Sequence, residues 1–155
     1  MAQASPDRVS ECLPSLRAAA RNGDKEVRSP ALRTLGGVPL TLNRLGELIK
    51  DPSHGGHKTE YSYYHERVKA QMGAESPPRS YWVLMTRDVL PGSRSEGYAH
   101  HKELVAGYAR RKSMPYELPS VLEAATAILM HHAREGERRF GDHPWTYTRC
   151  QEVVD

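Results

Sequence analysis

Large apolar side chains are densest at Tyr81, Trp82, Val83, Leu84 and Met85, between Pro78 and the breaker pair Pro91-Gly92. A helix cannot extend through those breakers, so the run predicts a short buried strand at the centre of the fold. Elsewhere apolar positions recur at helical spacing. Leu42, Leu45, Leu48 and Ile49 mark one face of a short helix, with Thr41 as N-cap and Asp51-Pro52 as its stop. Tyr61, Tyr64, Val68 and Met72 fall at i, i+3, i+7 and i+11, predicting a second helix that ends at Gly73. A capping box, Ser93 with Glu96, predicts a third helix to about Arg111, with Tyr98, Leu104, Val105 and Tyr108 inward. Ser113 to Pro119 is held extended by its two prolines. A second box, Ser120 with Glu123, then opens the strongest helix, Val121 to Glu135, closed by Gly136. Last, Trp145, Tyr147 and Arg149 alternate with Thr146, Thr148 and Cys150, the pattern of a half-buried strand.

Residues 1–39 carry no such pattern. They are rich in Arg, Ser, Ala, Gly and Pro and contain no aromatic residue. Such a stretch buries too little surface to offset its ordering entropy, which predicts a disordered tail or linker bounded by Gly36-Gly37 and Pro39. Residues 40–155 then form a single α+β domain: about four helices packed around a small sheet of two or three strands. The length of 155 residues suits one domain. Lys and Arg outnumber Asp and Glu by 22 to 19 and are interleaved with them, so no nucleic-acid-binding face is expected. No apolar run nears the roughly 18 residues of a membrane span. Cys12 and Cys150 stand far apart, and no leader-like segment precedes them, which predicts reduced thiols in a cytoplasmic protein.

Several pieces are specific in combination. They are Tyr81-Trp82-Val83-Leu84-Met85-Thr86 with Asp88-Val89-Leu90 and Gly92-Ser93-Arg94; Pro119 with Leu122-Glu123-Ala124-Ala125; Gly136-Glu137-Arg138; and Pro144-Trp145-Thr146-Tyr147-Thr148-Arg149-Cys150. Together, over about Leu40 to Glu152, they resemble an uncharacterised domain found in F-box-like proteins. The resemblance implies a variable N-terminal region ahead of the domain and no particular activity. The N-terminus here has no recognisable F-box. The glycine-rich, tyrosine-bearing β segment that follows the last strand in that family is also missing, which implies a shortened, C-terminally incomplete member.

No motif commits the chain to catalysis. Eight histidines include His54, His57, His100-His101, His131-His132 and His143, but no cysteine pair accompanies them and adjacent helical residues point about 100° apart, which disfavours a closed zinc site. His65-Glu66 lacks the second histidine of a zincin helix. Cys150 beside His143 reads more readily as a small buried hydrophobe than as a nucleophile. No glycine-rich phosphate loop is present, and no cofactor is expected.

Arg87-Asp88, Arg94, Glu137-Arg138-Arg139, Asp142 and Arg149 lie at the ends of the predicted strands and of the long helix, where a compact fold gathers them. They read as an ion-pair network that fixes loops, or as an anion-binding notch built on Ser93, Arg94, Arg138 and Arg149. The C-terminal strand offers a second surface. Trp145, Tyr147, Val153 and Val154 would flank an unpaired edge able to self-associate or capture a partner peptide. The sequence thus points to a non-catalytic protein-interaction or adaptor domain, the alternative being a hydrolase or transferase that uses an Arg/His anion pocket.

Overall fold

The computed structural model describes residues 26–31, 34–35, 37–52, 55–59, 66–140 and 146–154. In chain order these form β1 Glu26–Ala31, β2 Thr34–Leu35, β3 Val38–Pro39, α1 Leu42–Leu48, α2 Glu66–Met72, β4 Tyr81–Thr86, α3 Tyr98–Lys112 and α4 Val121–Glu135. Four helices and two small two-stranded sheets make a small α+β fold among the described residues. No helix among them is long and apolar enough to cross a membrane.

β1 pairs with β4 antiparallel, from Glu26 opposite Thr86 to Ala31 opposite Tyr81. β2 and β3 form a tight hairpin, with Leu35 opposite Val38 and Gly37 at φ +80° in its turn. Glycine enters that left-handed region without steric cost. Strand β1 lies inside the stretch read as tail, so the sheet draws on residues N-terminal to Leu40. A composition argument asks a segment to supply its own core face, whereas a strand can instead take its backbone partners from a neighbour, here β4.

The core sits where α1 crosses α4. Leu40, Leu42, Leu45 and Ile49 are buried together with Ala125 and Leu129, and Leu48, Val68, Val121 and Leu122 pack around them. Ala124, Ala125 and Ala127 on α4 are small enough to let neighbouring elements approach closely. Each fully buried Leu or Ile contributes about 1.5–3 kcal/mol. The Thr41 hydroxyl caps α1 by accepting from the Arg44 N–H at 3.1 Å. Helix α2 covers the C-terminal part of its expected span, while Tyr61 and Tyr64 lie outside the described residues. It ends at Gly73, whose carbonyl accepts from the Asn43 N–H at 2.9 Å. A Cβ at Gly73 would collide with the Lys69 carbonyl and the Asn43 amide.

Three expectations are corrected. The strand β4 forms, but no residue in it is buried, and Trp82 remains 64% exposed. In this two-stranded sheet β4 pairs only with β1, and β1 makes the closer approach to α4, although Tyr81 still reaches Glu123 of that helix. The Ser93–Glu96 capping box does not form, because Ser95 takes φ +62° and the helix starts only at Tyr98, after Gly97. Residues 146–150 do not form a strand. That segment is tied instead to the α3–α4 connection, with the Gln151 N–H donating to the Pro119 carbonyl at 2.9 Å and the Tyr98 hydroxyl to the Gln151 carbonyl at 3.2 Å.

Candidate anion-binding site

Two segments meet at the C-terminal end of α4. One leaves β4 as Arg87-Asp88-Val89 and turns through Pro91-Gly92 to Arg94; the other leaves α4 through Gly136 as Glu137-Arg138-Arg139-Phe140. With His131 from the last turns of α4, they enclose a recess of about 410 Å³.

Local chemistry fixes both segments. Gly136, at φ +72°, caps α4 by donating its N–H to the His132 carbonyl at 2.8 Å, and reverses the chain toward the arginines. On the other side, Gly92 lies at φ +80°, and the Ser93 N–H and hydroxyl both donate to the Leu90 carbonyl, at 3.1 and 2.7 Å. The Ser93 carbonyl lies 2.7 Å from His101 Nε2. A carbonyl only accepts, so Nε2 carries the proton, and this bond anchors the backbone beside Arg94. His101 Nδ1 is then a buried acceptor with no partner among the described residues.

Basic side chains outnumber acidic ones among the described residues that line the recess: Arg87, Arg94, Arg138 and Arg139 with Asp88 and Glu137. In Arg139, Nε and Nη1 are buried and meet no acceptor among the described residues. Burial lowers its pKa, the nearby Arg87 adds to that, and Asp88 opposes it. A guanidinium nevertheless stays protonated in a protein, and Arg139 as a whole is only half-buried, so its charge keeps contact with water. Burial also holds His131 below the usual histidine range, reinforced by Arg139 and Arg87 and opposed by Glu135 and Glu137. Phe140 sits at φ +67°, a region that costs a bulky residue on the order of 1–3 kcal/mol and is found where surroundings force it.

Of the residues singled out from sequence, Arg94 and Arg138 line the recess and Ser93 and Arg149 do not. The Ser93 hydroxyl is committed to Leu90, and Arg149 is exposed on the C-terminal segment. Arg87, Asp88 and Arg139 belonged to the wider set expected at element ends; Asp142 lies outside the described residues. His131 and Phe140 were missed. The available signal was position, since His131 stands one and a half helical turns before the Gly136 cap and Phe140 directly follows the arginines.

The C-terminal edge does not assemble as expected. Tyr147 and Val153 are exposed, at 84% and 72%, and Val154 is half-buried, but the irregular backbone there offers no strand edge. Trp145 lies outside the described residues. Burial, with Glu152 and Glu123, pushes the Cys150 thiol up to about 12, which keeps it from acting as a thiolate near neutrality. No protein-family model matches the chain, and no curated protein or solved structure matches it either.

Proposed function

We propose that this chain is a non-catalytic binding domain that engages an anionic group carried by its partner. The observation that carries the reading is the recess lined by Arg87, Arg94, Arg138 and Arg139. Arginine forks match the oxygens of an anionic group in pairs. The resemblance to a domain of F-box-like proteins, which implies no particular activity, is compatible with a binding role.

A second reading, an enzyme acting on the bound group, has one specific support: His131 is disposed to be neutral and so able to accept a proton. No serine, threonine or cysteine accompanies it among the described residues of the recess lining, and the binding reading is preferred. Isothermal titration with inorganic phosphate tests that reading. Arg94→Met and Arg138→Met should each weaken binding about tenfold or more, the usual cost of one charge-assisted contact, while Arg149→Met should bind like the parent. Equal binding by all four proteins would move the anion elsewhere.

A further inference from the structure

We infer that two copies of this chain pair through the outer edges of their β4 strands, antiparallel about a two-fold axis at Leu84, so that their two-stranded sheets join in the order β1-β4-β4-β1. This is independent of the anion-binding reading.

The edge is open and unguarded. β4 pairs with β1 alone, and no backbone hydrogen bond among the described residues reaches its other side. Proteins normally blunt such an edge with charge, proline or a bulge. β1 contains Glu26, Arg28 and Pro30 in its sequence and lies against α4. The 6 residues of β4, Tyr81 to Thr86, include neither charge nor proline. They match β1 one to one without a bulge, and Trp82 among them is 64% exposed. A strand of this kind is a template for strand addition. A two-stranded sheet is also marginal by itself, and added strands give it the neighbours it lacks.

The sequence of β4 suits a second copy as the occupant. Successive strand residues direct their N–H and C=O groups to opposite edges, so a two-fold self-pair must be centred on a residue and not between two. Centres at Val83 and Leu84 use the strand most fully. A centre at Val83 sets Arg79 opposite Arg87 of the second copy, just beyond the strand, which opposes like charges. A centre at Leu84 sets Leu84 against Leu84, Val83 against Met85 and Trp82 against Thr86, while Tyr81 and not Arg79 falls opposite Arg87. Apolar residues then meet apolar ones, and an aromatic meets a β-branched side chain, the pairings that stabilise a sheet. A standard interface takes about 20–30 residues a side, so this shorter pairing defines a weak dimer with a dissociation constant on the order of 100 µM.

The test is sedimentation equilibrium of the full chain, over concentrations spanning about tenfold either side of that value. A reversible monomer–dimer equilibrium is expected. Leu84→Lys and Leu84→Glu each bring like charges together on the axis and should weaken the dimer about tenfold or more, while an equimolar mixture sets Lys against Glu and should restore it. Leu84 is half-buried, so circular dichroism checks that each variant folds. Amide exchange of the parent gives a readout that needs no variant: alternate amides from Trp82 to Thr86 should gain protection as concentration rises, and those of α3 should not. A parent that stays monomeric throughout overturns the inference, whether the edge remains open or takes a peptide of another protein. So does a dimer whose β4 amides exchange independently of concentration, or one whose folded variants fail to pair on mixing.

Discussion

The two ends of α4 are built from opposite charges, carboxylates at the N-terminal end and arginines at the C-terminal end. At the N-terminal end the Glu123 N–H donates to the Ser120 hydroxyl at 3.2 Å, and the Ser120 N–H donates back to Glu123 at 2.7 Å. The Val121 N–H reaches the Glu152 carboxylate at 3.0 Å, and the Tyr81 hydroxyl donates to Glu123 at 2.6 Å. Burial raises the Tyr81 pKa, and the bond to Glu123 with the charges of Glu123, Glu117 and Glu152 raises it further, so that hydroxyl remains a donor. At the C-terminal end, Arg87, Arg94, Arg138 and Arg139 gather around the recess with Asp88 and Glu137. Both arrangements suit the helix dipole. The first is a closed structural joint, and the second is an open recess lined by side chains that can donate to an anion.

The sharpest way to use that comparison is to perturb the body of the helix, then each end. Leu129→Ala removes a core side chain between the ends and should cost about 2–5 kcal/mol in chemical denaturation. Trp82→Ala, on the exposed face of β4, should cost under about 1 kcal/mol. Glu123→Ala breaks the capping box and the Tyr81 bond together, and should cost about 1–2 kcal/mol whether or not phosphate is present. A loss that depends on phosphate would couple the two ends and break the comparison.

Gly136→Ala puts a Cβ at φ +72° within about 3 Å of the His57 ring. It should cost about 1 kcal/mol or more, and unlike Glu123→Ala it should also weaken phosphate binding, because the chain leaving Gly136 carries Arg138 and Arg139.

The smallest effect is on protonation. His131 has a folded-state pKa below 6.5, so between that value and 6.5 the unfolded chain holds more protons on it than the folded chain. Stability therefore falls as pH drops through this window. His131→Gln should flatten that part of the profile. In NMR titration the His131 ring signal should move to higher pKa when phosphate binds, as a nearby anion favours the charged imidazole. An unchanged ring titration in saturating phosphate would place the anion away from His131.

Helices α1 and α4 were legible in the sequence because their ends carry capping chemistry that acts locally. Thr41, Ser120 with Glu123, and Gly136 all act in the structure as their spacing predicts. What failed was inference from apolar density. Trp82 and Tyr81 look like core residues, but they stand exposed on a two-stranded sheet whose other strand, β1, lies some fifty residues away. The alternation from Trp145 to Cys150 misled for a related reason, since a strand needs a neighbour and the described residues there are held instead by isolated bonds at Gln151 and Glu152. At the site, convergence of charged residues at element ends was readable, but which arginine would be buried was not. Arg139 differs from Arg138 by one position, yet Arg138 is exposed while Nε and Nη1 of Arg139 are buried.

The most direct test of an anion-binding C-terminal end is the melting temperature of the parent chain and Arg139→Met across a phosphate series. The parent should gain about 3–5 °C at tenfold excess over its dissociation constant, corresponding to about 1.4 kcal/mol. Arg139→Met should stay nearly flat as phosphate rises, because one of the donors lining the recess has been removed. If the variant instead melts below the parent by the same margin at every phosphate concentration, Arg139 is a satisfied structural residue and the account of this end of the helix is wrong.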